Sequence, residues 1–597
     1  MNGIRLIARY LGHNRRDFLL ALLCVAVETS LELAIPMLMA QVIDEGIMVR
    51  DLHVVFADGA LMVVCALIAL GLGLLYARFS ARAAVGLGAN LREAEYAHLQ
   101  RFSFANLDNF ASSSLITRLT TDVTVIQNAM VSGTRPLVRG PVSLLAGIAY
   151  AALMSPDLVV VFCVTAPTIA VAMFFVVRHV GPLYRMLQRS MDRLNDTLQE
   201  DLSGIRVIKA YVREERMADR FETVNMNLAS TATRTFRTAV LNMPVMQSAM
   251  YATCVAIMLI GGRMIFAGTL TVGAFTGFMS YVMQIVNSLM MISNVFLMLA
   301  RSMTSIERVE EVLAEDPTIT SPAYAIDDVA DGSIEFEHVD FRYAADADRD
   351  VLEDVTLHIP SGSVVGILGG TGSGKTTLVQ LIARLYDVTD GVVRVGGRDV
   401  RDYDLAVLRD AVAVVLQNNV LFSGTVRENL AWGNPNATDE QMLEVCRLTC
   451  ADEFLDRIGG LDGMIGQGGA GVSGGQRQRL CIARALLKHP RVLILDDSTS
   501  AVDMATDARI RANLSELDDI TTIVIAQRVA SVMEADMIVV LDDGRIEGVG
   551  THAKLLAENP IYREIYESQI GSGIHGDVVV SAVSDICGTV DVRGEGE

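Results

Sequence analysis

Six runs of apolar residues dominate the first half of the chain, at 18–43, 56–76, 136–154, 158–177, 239–266 and 272–300. Each approaches or exceeds the roughly 20 residues a helix needs to cross the hydrocarbon core of a bilayer, so six membrane-spanning helices are predicted. Two long stretches, 77–135 and 178–238, separate the second run from the third and the fourth from the fifth. They are polar, helix-favouring and nearly free of proline, and read as extensions of the spanning helices into water. Each such hairpin needs a turn at its far end, placed here at 104–112 and 203–211. The short connections 44–53, 155–157 and 268–271 are poor in Lys and Arg. Arg5, Arg9, Arg15 and Arg16 instead precede the first run, and Arg78, Arg82, Arg92, Arg101 and Arg118 follow the second. The positive-inside tendency then makes both termini and both extensions cytoplasmic. The first apolar run is too long for a signal-peptide core and lacks a convincing cleavage site, so it reads as a span.

After residue 314 the pattern changes. Acids, Pro317 and Pro322 break the helical period over 315–331, which reads as a linker. Short β-branched runs follow, with 334–337, 364–368 and 492–496 reading as strands. Beyond 569 the chain turns Gly-rich and acidic, and a poorly ordered tail is expected at 570–597. The expected fold class is a six-helix α transmembrane domain (1–314) with long cytoplasmic extensions, followed by an α/β phosphate-loop domain (332–569).

Composition agrees with that division. Apolar residues make up 51% of the chain, too many for an ordinary soluble protein and in keeping with a lipid-bilayer environment. The net charge of −21 argues against a nucleic-acid partner, because a phosphate polymer would be repelled. Eight cysteines form no CxxC pair and no metal-binding spacing, so they read as small hydrophobes.

The chemistry starts at Gly369-Gly370-Thr371-Gly372-Ser373-Gly374-Lys375-Thr376, which fits G-x-x-x-x-G-K-[ST]. The apolar run 364–368 before it and the helical pattern at 377–386 after it supply the strand–loop–helix setting the motif requires. Glycines let successive backbone N–H groups converge on phosphate oxygens. Lys375 brings a charge to the β/γ-phosphates of a nucleotide, and Thr376 brings a hydroxyl to Mg²⁺. Further on, Val492-Leu493-Ile494-Leu495-Asp496 is an apolar strand ending in an acid suited to hold that metal. Between them lies Val472-Ser473-Gly474-Gly475-Gln476.

In this order the phosphate loop, Gln417 after a strand, V-S-G-G-Q, the acid-terminated strand and Ser500-Ala501-Val502-Asp503 resemble an ATP-binding-cassette (ABC) nucleotide-binding domain. With the six spans, the resemblance covers nearly the whole chain as an ABC exporter half-transporter. It implies ATP and Mg²⁺ as cofactors. Tyr343 would stack on adenine, Gly369–Thr377 would cradle the phosphates, and Thr376, Gln417 and Asp496 would serve the metal. It further implies that two nucleotide domains sandwich two ATP molecules, with Ser473, Gly474, Gly475 and Gln476 completing the opposite site at a helix N-terminus. The turn at 203–211 resembles the second coupling helix, which docks on the partner's nucleotide domain.

Two residues depart from the family pattern. Where a catalytic Glu usually follows the strand-ending Asp there is Asp497, and where a switch His is usual there is Gln527. Together they imply a site that binds ATP and turns it over slowly, in one half of a heterodimer whose partner supplies Glu and His. An importer on the same fold (as in siderophore uptake), a lipid or peptide exporter, and a non-transporting ATP-gated module are the alternatives. Efflux of a small amphiphilic, drug-like substrate across a bacterial cytoplasmic membrane is the expectation.

Two features of the spans bear on substrate. Met243, Met246, Met250, Met279 and Met283 recur at helical spacing and would give either an adaptable cavity wall or ordinary helix packing. Glu28 and Glu32 share a helix face in the first span, where each charge costs about 2.5–3.5 kcal/mol at mid-membrane. They are expected to face an aqueous cavity that favours cations, or else to pair with Arg263.

Overall fold

The computed structural model describes residues 3–344, 347, 349–497, 501–517 and 519–570; the predicted tail, from 571 on, and Ser500 lie outside them. The chain divides into two compact units. One comprises Met1–Gln100 with Ser112–Glu315, and the other Arg101–Ala111 with everything from Asp316 onward.

The first unit is helical throughout. A short helix α1 (Gly3–Tyr10) precedes α2 (Arg15–Gln41) and α3 (Leu52–Leu99). After α4 (Phe104–Asp108), which belongs to the second unit, α5 (Ser112–Thr117) runs through a π-turn into α6 (Val123–Met154). Then follow α7 (Pro156–Ser203), α8 (Ile205–Ala210), α9 (Glu214–Val240), α10 (Asn242–Phe266) and α11 (Val272–Ala314). Helices α3 and α7 have 48 residues each, about 70 Å at 1.5 Å per residue. A hydrocarbon core of about 30 Å accounts for less than half of that length, so most of each helix projects beyond it. Gly12–Ile47, Leu52–Leu99 and Ser112–Met154 are long and apolar enough to span among the described residues, while Met250–Phe266 and Val272–Ile285 are shorter apolar pieces. The predicted span at 158–177 falls in α7, where most side chains lie outside the described residues.

Helix α2 packs along α3, α6 along α11, and α7 along α9. Between α2 and α11 the fully buried Tyr281 donates its hydroxyl to Leu33 O at 2.6 Å and stacks on Tyr150 with centroids 5.8 Å apart. The two acids of the first span are not left to repel each other. Glu28 pairs with Arg135 and Glu32 with Arg139, two arginines one turn apart on α6, in place of Arg263. Glu28 is 3% exposed, and Gly73 beside it keeps the space open, since a Cβ there would lie 3.3 Å from Glu28 Oε1. Arg135 also lies over the Tyr76 ring at 5.7 Å.

Removing Arg135 strands the charge of the buried Glu28, whereas removing both partners is far less costly. Arg135→Met alone should therefore lower the melting temperature of the solubilised chain more than Arg135→Met combined with Glu28→Gln does. The coupling should be about 1 kcal/mol or more for this pair and smaller for Glu32–Arg139, whose acid is less buried than Glu28. Additive melting shifts would show that the pair carries no such coupling.

The second unit is an α/β domain with three sheets. The strands are β1 (Ile334–Phe341), β2 (Leu352–Ile359), β3 (Val364–Leu368), β4 (Asp390–Val395), β5 (Arg398–Asp399), β6 (Val412–Val415), β7 (Gly424–Thr425), β8 (Met464–Ile465), β9 (Val492–Asp496), β10 (Thr521–Ile525), β11 (Met537–Asp542) and β12 (Arg545–Gly550). The main sheet runs β12-β11-β3-β10-β9-β6, parallel except for the antiparallel edge strand β12. Its strands β9 and β10 are buried at every residue, as expected of parallel strands covered on both faces. A smaller antiparallel sheet, β2-β1-β4-β5, covers the start of the phosphate-loop helix, and β7 and β8 form a two-stranded ribbon.

Segment 101–111 is part of this unit's packing. Asn106 caps its own turn and donates to Asp316 O at 3.1 Å, and Ser103 Oγ lies 2.6 Å from Thr318 Oγ1. Asp108 accepts the Tyr386 hydroxyl at 2.7 Å, and the Phe104 ring meets Tyr386 edge-on at 6.0 Å.

Candidate functional site

The site forms at the carboxyl ends of β3, β9 and β10, where parallel α/β sheets place ligands. β3 ends at Leu368 and the chain turns through Gly369–Gly374 into α12 (Lys375–Ile382). The helix begins two residues before the sequence pattern suggested, because Gly374 at φ +95° makes the turn that starts it. Gly374 allows that close approach: a Cβ would lie 2.8 Å from Leu352 and 2.9 Å from Val351 O. Gly374→Ala combines a left-handed backbone with this overlap, a strain of about 1–3 kcal/mol. The variant is expected to bind ATP analogues at least tenfold more weakly in fluorescence titrations, and unchanged affinity would show that the loop tolerates the strain.

Lys375 Nζ folds over its own loop, donating to Gly369 O at 2.9 Å and Gly370 O at 2.6 Å. Burial pulls its ammonium pKa down, against the pull of Asp496 and Asp497. Thr376 Oγ1 donates to Asp496 Oδ1 at 3.1 Å. Asp496 is 2% exposed, and burial pushes its carboxyl pKa up while the Thr376 hydrogen bond pulls it down. Asp497 follows at φ +46°, a left-handed position that Asp tolerates better than most residues, and burial pushes its carboxyl up as well. Gln527, at the end of β10, donates Nε2 to Asp497 Oδ2 at 3.2 Å. Two acids, one lysine and a ring of loop amides thus converge at one end of the sheet.

Tyr343 approaches the same loop from the side. Its hydroxyl lies 2.9 Å from Thr377 Oγ1, and its half-exposed ring packs edge-on against Phe341 and Tyr386. Thr371 and Ser373 belong to the loop itself, whereas Gln417 lies exposed just beyond β6. Ser473, Gly474, Gly475 and Gln476 stand apart from this cluster in the sequence and form their own helix start. Ser473 caps the helix Gly474–Leu486 and forms a reciprocal capping box with Gln476, while Gly475 fits where a Cβ would lie 2.8 Å from Ala501 O. The first two residues of the motif are exposed, so an outward-facing helix N-terminus is available to an anion.

In the first unit, Met250 is half-buried and Met283 is exposed, while Met279 packs beside the Phe278–Tyr281 cluster. The Met246 side chain lies outside the described residues. The sequence reading missed Gln569 altogether. Its amide nitrogen donates to Gln527 O at 2.7 Å and its amide oxygen accepts from Val529 N at 2.8 Å.

A strand–loop–helix phosphate site in an α/β unit, on one chain with long apolar helices, defines an ATP-dependent membrane transporter. The chain belongs to the ABC transporter family. Residues 18–289 match the ABC transporter transmembrane region, and residues 352–500 match the ABC transporter domain that follows it. It is 35% identical over 553 residues to the uncharacterized ABC transporter ATP-binding protein YfiB of Bacillus subtilis, covering 92% of this chain and 96% of that protein. It is 36% identical over 589 residues to the uncharacterized ABC transporter ATP-binding protein Rv1273c of Mycobacterium tuberculosis, covering 96% of this chain and 100% of that protein. The multidrug efflux ATP-binding/permease protein Rv0194 of Mycobacterium tuberculosis is 32% identical over 585 residues, which span 97% of this chain and 48% of that one. The fold is that of a bacterial Atm1-family ABC exporter with ATP bound, at a TM-score of 0.77 and 23% identity over 94% of this chain and 99% of that one. The protein is thus a multi-pass membrane half-transporter of exporter fold that binds and hydrolyses ATP.

Proposed function

We propose that this chain is one half of a heterodimeric exporter and carries the slower of its two ATP sites. The observation that carries the reading is the pairing of Asp497 with Gln527, where Gln527 Nε2 contacts Asp497 Oδ2 at 3.2 Å. A carboxylate that must polarise water sits here one methylene short, and its neighbour is an amide that neither carries charge nor passes a proton. Gly369–Thr377 hold the phosphates, Lys375 neutralises the β/γ oxygens, and Tyr343 offers its ring to adenine. The buried Asp496 beside Thr376 is a hard oxygen donor set, which suits Mg²⁺ bound mainly by nucleotide phosphates; with Gln417 these residues would hold the ion, which neutralises charge developing on the phosphates. Ser473, Gly474, Gly475 and Gln476 face outward to complete the partner's site. Closure of the two nucleotide domains on ATP, and release after hydrolysis, is the two-state element that can alternate access across a membrane.

The relative named for multidrug efflux is about twice the length of this chain, which supports a half-transporter working with a second half. That name and the methionines Met250 and Met283 support an amphiphilic substrate. The placement proposed is the bacterial cytoplasmic membrane, with both termini and the ATP-binding unit inside. The test is reconstitution with a partner half that carries Glu and His at the two positions. Inside-out vesicles should accumulate a fluorescent cationic amphiphile on ATP addition, and ATP-driven loss from preloaded vesicles would reverse the assigned direction.

A further inference from the structure

Gln527 lies between Ala526, whose N–H donates to Ile367 O at 3.3 Å, and a 3₁₀ turn, Val529–Ser531, that opens on the fully buried Val529. Behind it lies a cavity of about 170 Å³ bordered by Asp497, Asp507, Arg511, Gln527 and Arg528. Arg528, the next residue, is in extended conformation (φ −103°, ψ 128°), so Gln527 and Arg528 lie before that turn begins. What spans them is one side chain from the last helix of the described chain, Pro560–Ile570. Gln569 donates to Gln527 O at 2.7 Å and accepts from Val529 N at 2.8 Å. It thereby satisfies the backbone on both sides of Arg528, much as a neighbouring strand would.

The helix that bears Gln569 is held independently of it. Tyr562 is fully buried and bonds His552 at 2.6 Å, and Ile565 and Tyr566 pack on the main core. A docked helix thus presents the Gln569 amide to the backbone on both sides of Arg528.

We infer that Gln569 is a positioning residue for the phosphate end of the ATP site, fixing the Gln527 backbone so that the Gln527 side chain reaches Asp497. The inference rests on reading Gln527 as the residue that faces the γ-phosphate. It also makes the helix Pro560–Ile570 part of the site's machinery, so that displacement of that helix would be felt at Gln527.

The test uses the full chain in lipid nanodiscs and three measurements: hydrogen–deuterium exchange, residual turnover of Mg-ATP, and binding of a fluorescent ATP analogue. Gln569→Ala removes both bonds, whereas Gln569→Glu keeps the acceptor for Val529 N–H and loses the donor to Gln527 O. Exchange of the Val529 amide should rise at least tenfold in Gln569→Ala and stay near wild type in Gln569→Glu. Exchange across 366–378 should not change in either. Turnover (kcat) should fall at least fivefold in Gln569→Ala, with Gln569→Glu between it and wild type and KM within twofold throughout.

Unchanged Val529 exchange, or equal behaviour of the two variants, would overturn the inference. So would accelerated exchange throughout 332–569, because that is the mark of a packing residue. Should Gln569→Ala fail to fold, Gln569→Glu against wild type carries the turnover comparison, and wild-type kcat there overturns the inference. The reading of the site fails separately, if Lys375→Ala leaves binding of the fluorescent analogue unchanged.

Discussion

Restoring Glu and His at positions 497 and 527 together is expected to raise ATP turnover of the purified chain by about a hundredfold or more. The estimate comes from distance. Asp497→Glu adds one methylene of reach, and a misplacement of about 1 Å in a catalytic group costs on the order of 10² in rate. Gln527→His supplies a side chain that carries charge and can relay a proton. Because Gln527 touches Asp497 directly at 3.2 Å, the two substitutions should be non-additive, each alone gaining less than its share of the pair. Steady-state phosphate release at saturating Mg-ATP measures this. A wild-type chain that turns over briskly by itself, with activity abolished by Asp497→Asn, would remove the case for a slow site and for a distinct partner.

In the assembled pair, Ser473→Ala should cost turnover about a hundredfold, and Lys375→Ala less than tenfold. Ser473 opens an exposed helix N-terminus, and in the proposed pair its hydroxyl and the following N–H groups would serve the other subunit's nucleotide. Losing such a donor to transition-state charge typically costs 10²–10³ in rate. The same change also removes a helix cap, worth about 1 kcal/mol of stability. The melting temperature should therefore fall slightly while KM for ATP at the competent site changes little. Lys375, by contrast, would hold nucleotide at the site proposed to be the slower one. Equal losses from the two substitutions would mean that both sites must turn over, or that nucleotide at the slow one is required for closure.

The parts of this molecule legible in the sequence are those specified by neighbours along the chain. Strand β3 occupies 364–368 as the apolar run implies, and the turns sought at 104–112 and 203–211 contain the short helices α4 and α8. Each depends on local period or on glycine chemistry within a few residues. The acids of the first span were legible as a problem but their solution was not: Glu28 finds Arg135 at 107 positions' distance. An arginine beside Pro136 at the edge of an apolar run looks like a topology signal, and nothing local says that it pairs with Glu28. Gln569 was illegible for a similar reason, since a lone Gln in a polar terminal helix carries no pattern and its partners are backbone atoms about 40 residues upstream. The particular contacts that allocate 101–111 to the second unit were likewise hidden, because those to Asp316, Thr318 and Tyr386 are long-range and mostly polar.

That allocation affects any attempt to cut the protein in two. A fragment beginning at Asp316 would contain every phosphate-loop residue and both main sheets, yet would lack an eleven-residue strap that its own fold uses. Without the strap, Tyr386 loses its acceptor and one of its edge-on ring partners, Phe104, and the same ring meets the Tyr343 proposed to receive adenine. Nucleotide affinity measured on such a fragment would therefore describe a site with a loosened wall. Supplying 101–111 as a tethered peptide would be the way to make the excised half whole.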